Sequence, residues 1–398
     1  MKLSLKNFRS IKNSEIEVAP ITLMYGPNGS GKSSIMYALL TLKNIILNPN
    51  QQTASFFNYS FANLGGYNSV VFDHKPTEEI ELSLEASTPE GKIIYKIAFS
   101  ESKGKVFIRL SDTKNETITG ELQVQFPYPL SQQVKLSGTV DGKPIDIIWN
   151  GFLANASSTI TDPRFRDLVM SHVSALNYPS ELLKGIAFVS IKRGFSKPAY
   201  SSVPLSPLLM SEDEIASILA NNKYLVSKVS HYLEKIAGRE FRINYTPGTA
   251  IFTLDSTDRS TGEATELVND GFGTNQLVYL LAKILHPEAK LVCIEEPEIH
   301  LHPSALRAFA EQLVDIAKDE DKTFMISTHS ESLIASFLGL VARGVIDREK
   351  IACYYVSKGK KSSNLERQEV NEKGQIQGGL STFVQEELKD LASFLKSE

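Results

Sequence analysis

The run Gly26-Pro27-Asn28-Gly29-Ser30-Gly31-Lys32-Ser33 fits G-x-x-x-x-G-K-[ST] at every fixed position, and it constrains the fold more than any other feature of the chain. The apolar stretch Ile21-Thr22-Leu23-Met24-Tyr25 before it predicts a buried strand. The apolar stretch from Ser33 to Leu47 after it predicts a helix stopped by Asn48-Pro49. Glycines let the loop curl until successive N–H groups point at phosphate oxygens, and the helix start adds its positive dipole end. On this reading Gly26, Asn28, Gly29, Ser30, Gly31, Lys32, Ser33 and Ser34 surround the phosphates of ATP. Lys32 reaches the β- and γ-phosphates, and the Ser33 hydroxyl ligates Mg2+.

A second motif matches the first. Leu291-Val292-Cys293-Ile294-Glu295-Glu296-Pro297 is an apolar run ending in two carboxylates. It predicts a central strand whose end faces the phosphate loop, with Glu295 holding the Mg2+ shell and Glu296 orienting or deprotonating the attacking water. Two solvated acids at a strand exit are the alternative.

Around these motifs the chain alternates between two patterns. Leu3–Phe8 and Ile16–Val18 read as strands. From Glu79 to Asp146 a period of two predicts an antiparallel β lobe, with Ile80, Leu82 and Leu84 on one face. The run Val134–Val140 leads into an Asp141-Gly142 hairpin signal. A short helix is expected over Phe165–Leu176 and a strand at Ile186–Ser190. Ser211 and Glu214 suggest a capping box for a helix reaching Ala237, and a hairpin follows around Thr246-Pro247-Gly248. From Leu267 helices and strands alternate again: helix Asn275–Leu285, strand Lys290–Ile294, a helix to Lys318, strand Thr323–Ser327. This implies a mostly parallel sheet. The expected divisions are 1–75 for the phosphate-loop lobe, 76–260 for an inserted β-rich and helical lobe, 261–345 for the second ATPase lobe, and 346–398 for a small extension completing the domain.

Other stretches then fall into place. Asn7-Phe8-Arg9-Ser10 ahead of the phosphate loop resembles the opening of SMC and RecF proteins. Glu295-Glu296-Pro297-Glu298-Ile299-His300-Leu301-His302-Pro303, Asp270-Gly271-Phe272-Gly273-Thr274-Asn275-Gln276 and Ser327-Thr328-His329-Ser330 resemble the ATPase domain of OLD-family proteins. The resemblance is good over residues 1–75 and 265–335 and weaker at Ile186–Tyr200. It implies an α/β P-loop NTPase with an ABC-type head, a mostly parallel sheet flanked by helices, plus an inserted antiparallel β lobe and a helical segment. It also implies an ATP-dependent head-to-head homodimer with ATP and Mg2+ sandwiched between heads. Each phosphate loop would face the partner's Asn269-Asp270-Gly271-Phe272-Gly273, so that Asn269, Gly271 and Gly273 complete the nucleotide site. Asn269 stands where the signature usually has serine. His329 would act as a catalytic switch beside Glu296 and Lys32. Arg9 and Arg193 are candidates for nucleotide or interface contacts, or for surface pairing. His300 and His302 read as a dimer-facing loop rather than a metal site.

The stretch from Pro49 to Leu267 carries no sustained heptads, so a long SMC-type arm is not expected. The segment after His329 holds a strand at Ile351–Val356, a basic Lys358-Gly359-Lys360-Lys361 turn and a helix from Ser381, and is too short for the Toprim nuclease of OLD proteins. The expected function is an ATPase that switches an effector protein or a DNA-associated process, in defence against phage or in DNA maintenance. A RecF-like DNA-binding repair ATPase and a regulatory ATP binder with little turnover are the alternatives. The formal net charge of −4 does not advertise a basic DNA-binding face. No apolar run approaches the roughly 18 residues of a membrane span. The two cysteines, Cys293 and Cys353, both lie in apolar runs, and a reducing cytoplasm is expected.

Overall fold

The computed structural model describes residues 1–112, 116–156, 162–205 and 211–376. Among these residues the central element is a six-stranded sheet in the order Ile186–Val189, Leu291–Glu295, Thr323–Thr328, Ile21–Tyr25, Ile351–Lys358, Ser363–Gln368. The first five strands run parallel and the last is antiparallel to its neighbour. Strands buried on both faces read as continuous apolar runs. The edge strand Ser363–Gln368 is polar and largely exposed, whereas inner strands such as Ile21–Tyr25, and Leu291–Glu295 up to its terminal carboxylate, are runs of this kind. Their alternate residues enter different cores. Met24, Cys293 and Met325 pack with the phosphate-loop helix and the β lobe. Leu23, Ile294 and Ile326 pack with the helices of the second half.

The helix Lys32–Leu47 lies on the first side with an antiparallel sheet of order Ile11–Glu17, Lys2–Phe8, Ile80–Thr88, Gly91–Phe99, Lys103–Asp112, Thr117–Gln125. The two opening strands therefore extend the same sheet as the lobe that follows residue 79. Leu3 pairs with Leu84 and Leu5 with Leu82, and all four are buried. On the other side lie Lys223–Ala237, Phe272–Ile284, Pro303–Asp319 and Glu331–Ala342.

Several elements differ from the sequence reading for local reasons. The helix expected over Phe165–Leu176 runs from Pro163 to Lys184, started by the Asp162 carboxylate, which accepts from the Arg164 and Phe165 N–H groups. The capping box of Ser211 and Glu214 is present, but the helix expected to reach Ala237 is two, Glu212–Asn221 and Lys223–Ala237. Asn222 breaks it, and its side chain accepts from the Leu225 N–H to start the second helix. Val134–Val140 is not one strand. Val134–Lys135 pairs with Ile147–Trp149, whereas Thr139–Val140 pairs with Lys143–Pro144. The Asp141-Gly142 turn forms as expected, with φ of 54° and 72°. The Lys358–Lys361 segment is a hairpin tip between the last two strands of the central sheet. The helix expected from Ser381 lies outside the described residues. Both cysteines are buried and free, and no helix among the described residues is long and apolar enough to cross a membrane.

Candidate functional site

The buried strand Ile21–Tyr25 delivers the chain into the phosphate loop, where Gly26, Gly29 and Gly31 have φ of 144°, 71° and 108°. At Gly26 a Cβ would stand 2.0 Å from the Val356 carbonyl oxygen, so both the conformation and the space demand glycine. Gly31 is the N-cap of the helix that starts at Lys32. Asn28 and Gly29 are exposed at the tip, Ser33 is half-buried, and Ser30 and Ser34 are buried. The Lys32 ammonium is folded over the loop, donating to the Gly26 and Pro27 carbonyls at 2.8 and 3.1 Å. Burial pushes its pKa down to about 8, with Glu296 and Glu298 pulling the other way. The Ser30 hydroxyl is buried with no hydrogen-bond partner among the described residues.

The strand ending in the carboxylates lies two places from the phosphate-loop strand, and Thr323–Thr328 runs between them. At a spacing of about 4.8 Å per strand this leaves roughly 10 Å between the two outer backbones, room for phosphate and metal. Glu295 is 2% exposed and lies against the Ser33 and Tyr37 hydroxyls. Burial raises its pKa, and the two hydroxyls oppose that shift. Its Oε1 is buried without a partner. An orphaned carboxylate oxygen beside a serine hydroxyl is a donor set that suits a hard divalent cation such as Mg2+. Across the same space the Arg9 guanidinium stacks on the Tyr37 ring, 5.0 Å from its centroid.

Glu296 has φ of 42°, an uncommon conformation for a residue with a side chain. Two contacts hold it there. Its N–H donates to the Ser327 carbonyl at 2.8 Å. Arg193 donates to the Glu295 and Glu296 carbonyls at 2.7 and 2.8 Å, and burial lowers the pKa of that guanidinium to about 10. The turn so formed aims the Glu296 carboxylate at His329, Oε1 to Nε2 3.1 Å. His329 Nδ1 lies 3.5 Å from the Lys32 ammonium. The ring therefore bridges the two, Nε2 against the Glu296 carboxylate and Nδ1 against the Lys32 ammonium. Glu298 fixes the loop behind it, its Oε1 accepting from the Thr328 hydroxyl at 2.7 Å and the His329 N–H at 2.8 Å. Lys32, Glu296 and His329 thus meet in one place, and Ser33, Glu295, Tyr37 and Arg9 meet beside it.

Asn269, Gly271 and Gly273 stand apart from this cluster. Among the described residues no hydrogen bond or ion pair joins residues 269–273 to the phosphate loop. Gly271 caps the helix Phe272–Ile284. The Asp270 carboxylate is held by Arg239 at 3.0 Å and by the Ser256 hydroxyl. The Asn269 amide donates to Glu266 at 3.0 Å, so its side chain is engaged within its own turn. A Cβ at Gly273 would stand 2.6 Å from the His300 carbonyl oxygen. Phe272, 74% exposed, stacks on the His300 ring with centroids 5.4 Å apart. His302 caps the next helix, accepting from the Ser304 N–H at 3.3 Å. Both histidines are accordingly occupied as parts of an exposed turn.

Sequence reasoning gave Arg193 no more than an even choice of roles and gave none to Glu298 or Tyr37. Tyr37 stands one helical turn beyond Ser33, a spacing that places both on the face opposite Glu295. Arg193 and Glu298 act on segments far along the chain and carry no local signal.

A phosphate loop on a central parallel strand, a carboxylate pair two strands away and a histidine ending the strand between define an α/β P-loop ATPase with an ABC-type head. The chain belongs to the family described as "AAA domain, putative AbiEii toxin, Type IV TA system", whose family model matches residues 21–335. Similar solved structures include an SmcHead bound to the C-winged helix domain of ScpA, at 14% identity over 92% of this chain and 96% of that one, with a TM-score of 0.50. The SMC head domain from Thermotoga maritima matches at 13% identity over 92% and 97%, with a TM-score of 0.44. No curated protein matches the chain.

Proposed function

We propose that the chain hydrolyses ATP and that its ATP-bound form pairs head to head with a second copy, switching an effector protein. The contact chain Glu296–His329–Lys32 carries this reading, because it joins three sequence-distant motifs into one acid–base cluster beside the phosphate loop. Lys32 is placed to exchange its loop carbonyls for phosphate oxygens. Ser33 and Glu295 would hold Mg2+, which when bound neutralises charge on the β- and γ-phosphate oxygens. Glu296 orients the attacking water and takes its proton, while His329 steadies the carboxylate and faces the terminal phosphate.

The exposed Phe272–His300 pair at the start of the signature helix supports the dimer. The N–H groups of the helix start beside this exposed pair can meet a γ-phosphate presented in trans. The effector reading rests on the toxin–antitoxin context in the family's description. Phosphate release tests the enzymatic claim. Wild type should turn over ATP with Mg2+, faster per molecule as protein concentration rises. Glu296→Gln should keep ATP binding and lose roughly 10²- to 10⁴-fold in rate. Equal rates in the two proteins would overturn the role of Glu296. Intact binding without turnover in wild type would make the chain a regulatory binder instead.

A further inference from the structure

We propose that Asn275 is a positioning residue for the carboxylates of its own chain. Through residues 190–195 it makes the geometry of the Glu295–Glu296 turn depend on where the signature helix sits. The inference rests on the hydrolytic reading above and names what regulates that same site.

Asn275 lies one turn into the helix Phe272–Ile284 and is 7% exposed. Asparagine adds little to a helix interior, and here its amide is engaged outside the helix. Its oxygen accepts from the Phe195 N–H at 2.7 Å, and its nitrogen donates to the Phe195 and Leu267 carbonyls at 2.9 and 2.8 Å. One side chain thus pairs with both backbone groups of Phe195, as a neighbouring strand would. Only an amide supplies the acceptor and the two donors that this needs. The Phe195 ring lies 5.5 Å from that of Tyr279, one turn further along the same helix. Backbone and ring of Phe195 are therefore both tied to the signature helix.

The residues just before Phe195 carry this anchor to the carboxylates. Gly194 has φ of 121°, and a Cβ there would stand 2.8 Å from the Asn275 side-chain oxygen, so conformation and contact both demand glycine. Arg193 donates to the Glu295 and Glu296 carbonyls, and the Ile191 N–H bonds to the Glu295 carboxylate. From the Asn275 amide to the turn at Glu296 the path is three consecutive residues with a hydrogen bond at each end. Glu296 sits at φ of 42°, a conformation that Arg193 helps to hold. Misplacing reacting groups by about 1 Å costs on the order of 10²-fold in rate. A signature helix engaged by a second copy and one left free therefore differ in how well Glu296 meets the attacking water.

Steady-state hydrolysis by the full chain, with ATP affinity from calorimetry, tests the assignment in Asn275→Ala and Gly194→Ala. Both should lower kcat by about tenfold or more, with ATP affinity within about twofold of wild type. In Glu296→Gln chains carrying either change, MgATP should still double the mass. If Asn275→Ala does not fold, Gly194→Ala, which keeps the amide, carries the test. Unchanged kcat in a folded variant overturns the proposal. So does a parallel loss of turnover, ATP affinity and pairing, which is what a merely structural asparagine gives. A wild type without turnover overturns the enzymatic reading and this proposal with it. If Glu296→Gln alone fails to double its mass, the dimer reading fails, and the kcat comparison still judges Asn275.

Discussion

Glu295 carries a buried carboxylate oxygen that no group among the described residues satisfies, and burial holds its pKa above the ordinary carboxylate value. A raised pKa means the folded protein keeps the proton that the unfolded chain gives up. The stabilising contribution is therefore full at acid pH, below the unfolded value, and is lost as pH rises through the folded value. Melting curves of metal-free protein across that range should show this loss in wild type and not in Glu295→Gln. At neutral pH Glu295→Gln should be the more stable of the two by about 1–3 kcal/mol, while losing the stabilisation that MgATP gives wild type. Lys32 makes the opposite kind of statement. Its ammonium is depressed to about 8 when it rests on carbonyls, and phosphates restore it. Nucleotide binding should take up a proton above that pH, with affinity for ADP falling by up to about tenfold per pH unit. Calorimetry in buffers of different ionisation enthalpy checks the proton. A pH-independent affinity would remove Lys32 from the contact.

At the scale of elements, two close approaches hold the site in register. Gly273 lets the signature helix touch the turn that follows the carboxylates, where a Cβ would stand 2.6 Å from the His300 carbonyl oxygen. Gly273→Ala should cost about 1–3 kcal/mol by overpacking, read in thermal melts, and should weaken ATP-dependent pairing more than ATP binding. Arg193 ties the carbonyls of Glu295 and Glu296 to the edge-strand exit. Arg193→Lys should keep the charge and lose the two-pronged grip, lowering turnover about tenfold or more with nucleotide affinity little changed. The phosphate loop and both carboxylates were legible because each sits at the end of an apolar run that reads as a buried strand, and His329 because it follows such a run within a stretch that resembles the OLD-family ATPases. Arg193 and Glu298 were not. Arg193 grips two carbonyls about a hundred residues away, and Glu298 accepts from a hydroxyl and an N–H about thirty residues away, contacts that leave no pattern in local side-chain spacing.

Across the whole molecule the same distinction holds. The alternation of strands and helices after Leu267 announces a parallel sheet, and the period of two after Glu79 announces an antiparallel one. That the opening strands join the second sheet rests on the pairing of Leu3 with Leu84 and Leu5 with Leu82, a long-range choice that local periodicity does not encode. Likewise the order of the central sheet, with Thr323–Thr328 between the two motif strands, is a long-range pairing that no one segment encodes. Among the described residues no hydrogen bond or ion pair joins the phosphate loop to the Phe272 turn, which is why a second copy is central to the account. Size-exclusion chromatography with light scattering on Glu296→Gln, with and without ATP and Mg2+, tests that claim most directly. The account predicts a mass that doubles only when both are present. A mass that nucleotide leaves unchanged would contradict it.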